Sequence, residues 1–397
     1  MKRYIALLLS VLMLLMLASC GGHQCDLPEN KDAEEEVVLT PEELAEQERL
    51  AQKAADEAAL TALLSNLTLE EKVGQLFFLR CPASDAIETI SAYHLGGILL
   101  FGRDYKDANE AYLSRDAFIA KLERYQDAAG NDTGIPLFIG SDEEGGTVTR
   151  ASRNPNLFSA KYPSPQQLYK AGGMKGLLTD TLQYNDQLRA LGINVNFAPV
   201  CDISTDSGDF IYERSFGQDV QMTSDYISQV VGVMNTAGIG ATLKHFPGYG
   251  SNSDTHTGIA VDERPYEQFL SEDYLPFMAG IHAGAPFVLV SHNIVTCLDD
   301  TYPASLSPAW HDQLRTQLGF EGVILTDDLD MGAVKAYADN GTIAVLALQA
   351  GNDMIVCSDL TQIAAVISAV QNGILSEETV NNACRRVLAA KQSLLLI

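Results

Sequence analysis

The chain predicts an α/β fold of the (β/α)8 barrel type, and three features predict it. Eight short apolar runs follow one another from Leu67 onward, segments of helical periodicity lie between them, and polar residues mark the downstream end of nearly every run. Runs that are apolar almost throughout, rather than alternating, belong to parallel strands buried on both faces. Eight strand–helix units in about 330 residues match a barrel in number and size. An open doubly wound sheet is the competitor, but no GxGxxG follows the first run.

The runs fall at residues 73–79, 96–101, 135–140, 193–200, 241–245, 287–290, 322–326 and 353–357. Helical periodicity appears between them, for example at 107–128, 179–190, 221–235, 266–283 and 360–371. Ser376-Glu377-Glu378 caps a last helix that carries Val387 and Leu388 toward Leu394 to Leu396. No short-period repeat is present and nothing after the eighth unit suggests a second domain. Residues 63–397 are therefore expected to form one catalytic-type barrel.

Ahead of the barrel the sequence changes character. Lys2-Arg3 precedes an apolar run from Tyr4 to Leu17, interrupted only by Ser10, then Leu17-Ala18-Ser19-Cys20. A basic start, a short apolar core and small residues before a cleavage point describe a secretory signal over residues 1–19. The run is short of the roughly 20 apolar residues a membrane span needs. The cysteine directly after Leu-Ala-Ser resembles a bacterial lipobox, in which Cys20 is lipidated and becomes the new N-terminus. Residues 20–62 then read as a tether: Gly21-Gly22, an acidic run from Asp32 to Glu36, and an Ala/Glu/Gln-rich helix. Thr40 caps that helix, Pro41 takes its first turn and Glu43 completes a capping box.

The formal charge is -26, and loss of Lys2 and Arg3 with the signal takes it to -28. No basic stripe is available to neutralise phosphates, which argues against nucleic-acid binding. Acidity also argues against electrostatic attachment to an anionic membrane, leaving the lipid as the expected anchor. Besides Cys20 there are Cys25, Cys81, Cys201, Cys297, Cys357 and Cys384, without CxxC spacing, so a zinc site is not expected. Several end apolar runs, where cysteine is usually a small buried hydrophobe. Export would permit disulfides, but spacing selects no pairs.

Active sites of barrels sit at the C-terminal ends of the strands. Here Arg103 follows run two, Asp142 run three and Asp202 run four; Lys244 and His245 end run five, Ser291-His292 follows six, and Asp327-Asp328 follows seven. Run five continues as Phe246-Pro247-Gly248-Tyr249-Gly250 and then Asp254-Thr255-His256. A strand thus delivers a lysine and a histidine to a pocket, and a Gly/Pro loop delivers a carboxylate and a histidine two residues apart. Histidine titrates near neutral pH and a neighbouring carboxylate can orient and tune it.

Asp327 can serve as nucleophile, general base or metal ligand. None of the seven histidines forms an HxH or HExxH pattern, so no metal is expected. No GxSxG elbow and no Gly-rich phosphate loop with Lys and Ser/Thr is present. What remains is a carboxylate facing a His–Asp pair, with Arg and Lys donors between. That set suits glycosyl transfer through a covalent intermediate, with a histidine replacing the second carboxyl group.

These residues resemble glycoside hydrolase family 3, specifically its single-barrel β-N-acetylhexosaminidases, over about Leu63 to Leu395. Asp142-Glu143-Glu144-Gly145-Gly146-Thr147-Val148-Thr149-Arg150 is similar to the family's Asp-Gln-Glu-Gly-Gly-Arg-Val-x-Arg. Glu213-Arg214-Ser215-Phe216-Gly217, Lys244 to Gly250, Asp254-Thr255-His256, Pro303-Ala304-Ser305-Leu306-Ser307 and Thr326-Asp327-Asp328-Leu329-Asp330-Met331 match in order.

The resemblance implies Asp327 as nucleophile and His256 as acid/base oriented by Asp254. It also implies Asp142, Arg150, Arg214, Lys244 and His245 as the residues that hold the terminal sugar. Tyr249, Thr147 and Glu143 depart from the pattern, which bears on the aglycone and on loop electrostatics. Glu144, the two glycines after it and Phe246-Pro247-Gly248 are expected to shape turns. Arg103, Asp202 and His292 stay open between pocket and support.

The implied activity is retaining, exo-acting release of terminal GlcNAc from a glycan such as a peptidoglycan fragment, without a cofactor. The enzyme would be exported and held on the extracytoplasmic face by its lipid. A phosphorylase of the same family and a non-catalytic sugar-binding lipoprotein are the alternatives; the oligomeric state is not legible. The N-terminal reading has its own test. Cys20→Ser should release the protein from the membrane fraction or leave it with an uncleaved signal. Mature protein that remains membrane-bound in high salt after that change would refute lipidation at Cys20.

Overall fold

A computed structural model describes residues 40–252, 260–337 and 342–397. The described residues fall into two units, one ending at Ala54 and one running from Ala55 to Ile397. In the first, the described residues are helical from Pro41 on, in the helix Pro41–Asn66. Its start is closed by the expected box: the Glu43 N–H donates to Thr40 Oγ1 (3.2 Å) and the Thr40 N–H to Glu43 (2.8 Å).

The second unit is the barrel. Its strands are β1 Phe77–Arg80, β2 Gly97–Leu100, β3 Phe138–Ser141, β4 Val195–Asn196, β5 Gly240–Phe246, β6 Phe287–Val290, β7 Val323–Thr326 and β8 Ile355–Cys357. They pair in parallel in the order β8-β1-β2-β3-β4-β5-β6-β7. One parallel bridge, Leu325 to Met354, joins the two ends of the sheet. Aromatic rings fill the interior: Phe78 meets Phe197 edge-on at 5.2 Å, and Phe138 meets Phe287 at 5.1 Å. All four are buried, as strands covered on both faces require.

Each of the eight runs contains or leads into one strand, with boundaries moved for identifiable reasons. The first run is half helix. Thr68 and Glu71 form a capping box that starts the helix Leu69–Gln75, so Val73 is buried on a helix and extended chain begins only at Phe77. The segment at 107–128 becomes helical only from Ser114, which caps Arg115–Asp132; before it, Asp107 accepts the N–H groups of Asn109 (2.8 Å) and Ala111 (3.0 Å) in a turn. Run four shortens to two ladder residues ahead of Ala198-Pro199, where proline has no N–H to give. Helix Pro165–Ala190 starts earlier than its periodicity suggests, because Ser164 caps it, and it is broken at Gly173.

The N-terminal end of the barrel holds an unusual group. Lys391, on the last helix Glu377–Ser393, is buried; its Nζ donates to Gln75 (2.7 Å) and lies 5.1 Å from the Phe138 ring. Burial pushes its ammonium down to about 7. The unfolded chain holds that proton up to about pH 10.4, so the cost of burying charge is full below pH 7 and fades as pH rises to 10. Lys391→Met should therefore gain stability over the natural protein at pH 7 by on the order of 4 kcal/mol more than at pH 10. Urea unfolding of both proteins at the two pH values measures this, and a pH-independent difference would contradict it.

Candidate active site

The C-terminal ends of the strands surround a cavity of about 220 Å3. Asp142, Arg150, Arg214, Lys244, His245 and Asp327 all line it, so every described site residue expected from the sequence converges there. Asp254 and His256 fall at 253–259, outside the described residues, as does Cys20. The same loops also border a wider, open cleft of about 1000 Å3, but none of these expected residues lines it.

Strand β3 delivers Asp142 and, two residues on, Glu144 to the pocket, while Glu143 points away. Asp142 Oδ1 accepts from Lys244 Nζ at 3.0 Å and Oδ2 from Arg150 at 3.4 Å. Glu144 takes both arms of Arg214, Nε at 2.9 Å and Nη2 at 2.8 Å, and its Oε1 lies 2.6 Å from Lys244 Nζ. Burial opposes the charge on Glu144, yet Arg214 and Lys244 outweigh it and hold the carboxyl well below its usual range. Glu144 was expected to shape a turn; instead it is the buried anion between the two cations. Its neighbours Gly145 and Gly146 do turn the chain, and a Cβ on Gly145 would stand 2.2 Å from the Pro163 carbonyl.

Glu143 shapes the loop from behind. Buried, it accepts the N–H groups of Arg150 (2.5 Å), Ala151 and Ser152 (3.3 Å) and the Tyr184 hydroxyl (2.7 Å). Burial raises its pKa in spite of these donors.

Strand β5 supplies Lys244 and His245, and both reach the pocket. His245 Nε2 is 3.0 Å from Arg214 Nη2, which can only donate, so Nε2 accepts and the ring proton sits on Nδ1. Nδ1 donates to Asp202 at 2.7 Å. Asp202 also accepts the N–H of Tyr249 at 2.7 Å, so it orients His245 from behind the cavity. Tyr249, one of the departures from the family pattern, is buried with its ring 5.7 Å from that of His245.

Strand β7 presents Asp327, whose N–H donates to the Val290 carbonyl (3.0 Å) and whose Oδ1 accepts from the Asp328 N–H (2.8 Å). Burial works against ionisation of Asp327, but the Asp328 amide and the Lys244 ammonium help to hold its carboxyl below the usual range. Asp328 is the reverse case: burial pushes it up to about 6, against the pull of Arg80, its ion-pair partner. The two neighbouring carboxylates thus differ: Asp327 is held ionised at the cavity, and Asp328 is paired with Arg80 in its wall. His292 supports this turn. Its Nε2 donates to the Asp328 carbonyl (3.0 Å), and its Nδ1 accepts from the Ser305 hydroxyl (2.7 Å).

Arg103 turns outward, with its Nη2 on the Cys81 carbonyl (2.5 Å), and does not line the cavity. Arg80, at the end of β1, does line it and was not singled out from sequence; its guanidinium lies 4.9 Å from the Phe101 ring. Among the described residues no three His, Cys, Asp or Glu side chains converge as metal ligands. The five described cysteines are free thiols.

A family model, the N-terminal domain of glycosyl hydrolase family 3, matches residues 68–390. A beta-hexosaminidase of Xanthomonas campestris is 32% identical over 303 residues, covering 71% of this chain and 86% of its own. Beta-hexosaminidase LpqI of Mycobacterium tuberculosis is 31% identical over 334 residues, covering 82% of this chain and 81% of its own. An uncharacterised secreted glycosyl hydrolase of Arthroderma benhamiae is 28% identical, covering 85% and 97%. Among solved structures, a family 3 beta-N-acetylglucosaminidase from a Paenibacillus species superposes with a TM-score of 0.76 at 31% identity, covering 83% of this chain but only 63% of that one. A beta-N-acetylhexosaminidase from Beutenbergia cavernae gives 0.72 at 31%, covering 82% and 99%.

The two carboxylates of β3 should separate by stability. Glu144 is enclosed between two buried cations, whereas Asp142 is partly exposed, its contact with Arg150 is long at 3.4 Å, and its partner Lys244 keeps Glu144. Glu144→Gln should cost about 3 kcal/mol in urea unfolding, and Asp142→Asn about 1. Equal costs would mean that Glu144 is not the anion on which the cluster rests.

Proposed function

Because this chain belongs to glycosyl hydrolase family 3, we propose that its pocket is the terminal-sugar site of a β-N-acetylhexosaminidase that works by retention. The enzyme is a glycoside hydrolase acting on O-glycosyl bonds. The observation that carries the reading is the convergence of Asp142, Arg214 and Lys244 opposite an ionised Asp327 in a cavity sized for one sugar residue. Hydroxyl and acetamido groups need fixed donors and acceptors, and this cluster offers both in a defined array.

In the proposed mechanism the free oxygen of Asp327 attacks the anomeric carbon, since Oδ1 already accepts from the Asp328 N–H. The C–O bond to the leaving group breaks as the bond to Asp327 forms, and His256 gives its proton to the departing oxygen. Water then attacks the glycosyl-enzyme as His256 takes its proton, restoring Asp327 and retaining configuration. Asp254 orients the imidazole. Arg214 and Lys244 stay fixed on Glu144, so their remaining donors meet the sugar without reorganisation. The natural substrate in this reading is a GlcNAc-terminated glycan such as a peptidoglycan fragment, met outside the cytoplasm by an enzyme tethered through Cys20. The secreted relative supports export.

A chromogenic GlcNAc glycoside assay, with and without phosphate, tests the activity: free GlcNAc in both is expected, and a sugar phosphate as product would make the enzyme a phosphorylase. Asp327→Asn should lower turnover by at least about 1,000-fold with the fold intact. His256→Ala should still glycosylate Asp327 from a nitrophenyl sugar, giving a burst and then slow turnover that azide accelerates. With poor leaving groups its loss should reach about 100- to 10,000-fold. Equal losses for good and poor leaving groups, with no burst and no azide effect, would place the acid/base elsewhere.

A further inference from the structure

The segment that carries Asp254 and His256 leaves β5 and returns to the chain through residues whose side chains meet. Asn252, on the outgoing limb, donates to Asp262 Oδ2 on the returning limb at 2.9 Å, and to the Tyr249 carbonyl at 2.9 Å. Arg264 sits at the junction. Its Nη2 donates to Asp262 (2.8 Å) and to the Gly248 carbonyl (3.1 Å), Nε to Asp262 (2.9 Å), and Nη1 to Asp273 (2.9 Å). One guanidinium therefore holds the outgoing limb, the returning limb and the helical segment beyond them. Its plane also lies against Phe269, 4.4 Å from the ring centroid.

The backbone is shaped to admit this group. A Cβ on Gly250 (φ +56°) would stand 2.7 Å from the Arg264 guanidinium carbon, and one on Gly248 (φ +127°) would stand 2.1 Å from Asp273 Oδ1. Asp262 and Asp273 are both buried, so neither carboxylate is satisfied by water. The returning limb is fixed in turn: Ile294 N–H donates to the Ala260 carbonyl (2.9 Å) and Thr296 N–H to the Asp262 carbonyl (2.9 Å). None of these side chains lines the sugar pocket.

We infer that Arg264, with Asp262 and Asp273, is a positioning clamp on the two limbs that flank the acid/base pair in the chain, acting on proton transfer and not on sugar binding. The inference rests on the acid/base reading of Asp254 and His256. The chemistry explains why arginine is suited here: its five-donor fork takes Asp262 with both Nε and Nη2 while reaching the Gly248 carbonyl and Asp273, a spread that the three donors of a compact ammonium cannot reproduce. A displacement of about 1 Å at a proton-transfer group costs on the order of 100-fold in rate.

The test compares Arg264→Ala, Arg264→Lys and Asn252→Ala with His256→Ala in the full chain, each checked for folding by circular dichroism and thermal melting. With a GlcNAc glycoside of poor leaving group, Arg264→Ala should lose about 30- to 100-fold in kcat with KM within about threefold. With a nitrophenyl sugar the burst on Asp327 should persist, and azide should speed the slow phase. Arg264→Lys should recover part of the loss. Asn252→Ala, which leaves the ion pairs in place, should show the same leaving-group dependence in weaker form and keeps the test open if Arg264→Ala does not fold. Wild-type rates with both leaving groups, or equal losses with both and no azide effect, would overturn the clamp. If His256→Ala itself lacks the leaving-group signature, the acid/base reading falls and the clamp falls with it. A normal His256→Ala pattern beside unaffected clamp variants overturns the clamp alone.

Discussion

The mouth of this barrel depends on Glu144, a carboxylate enclosed between Arg214 and Lys244. Two cations brought together out of water repel each other, and each pays for lost hydration. A shared anion removes both problems and fixes the distance between donors. From it the network runs outward: Arg214 to His245, His245 to Asp202, Lys244 to Asp142, Asp142 to Arg150. These side chains come from the ends of β3, β4 and β5 and the loops after them. The pocket is thus held by electrostatic satisfaction across neighbouring strands, and its geometry is set before any ligand arrives.

The eight strands were legible because parallel strands covered on both faces carry dense apolar runs, and the site was legible because the polar residues that end such runs have one place to go. Asp142, Arg150, Arg214, Lys244, His245 and Asp327 meet there. Glu144 was not legible: beside two glycines a glutamate looks like part of a turn, and only the arrival of Arg214 and Lys244 from distant sequence gives it a role. Arg80 was hidden for a similar reason, since its partner Asp328 is 248 residues away. Asp202 and His292 were visible as strand-end residues, but whether such a residue faces the cavity or stands behind it depends on backbone turns that alternation does not encode. The helical start of the first run was readable in principle, because Thr68 and Glu71 have capping-box spacing.

The segment after β6 links the two halves of the proposed machinery. Its residues Ile294 and Thr296 hold the returning limb at 260–262, while His292, two residues earlier, holds the turn that carries Asp327. One short stretch therefore braces both the turn of the proposed nucleophile and the returning flank of the proposed acid/base segment, so changes there should be felt in both.

The free thiols have a consequence of a different kind. Cys81 follows β1, Cys201 lies beyond β4, Cys357 ends β8 and Cys384 is on the last helix, and all four are buried as small hydrophobes. Burial pushes the thiols of Cys81 and Cys384 up to about 12, so almost no thiolate exists at neutral pH. At these four positions the folded barrel is consequently indifferent to the redox state of its surroundings, and oxidants find no nucleophilic sulfur there until the wall around each one opens. The four cysteines form a natural set of silent probes distributed around the ring, each reporting the breathing of its own sector through the rate at which an alkylating reagent reaches it.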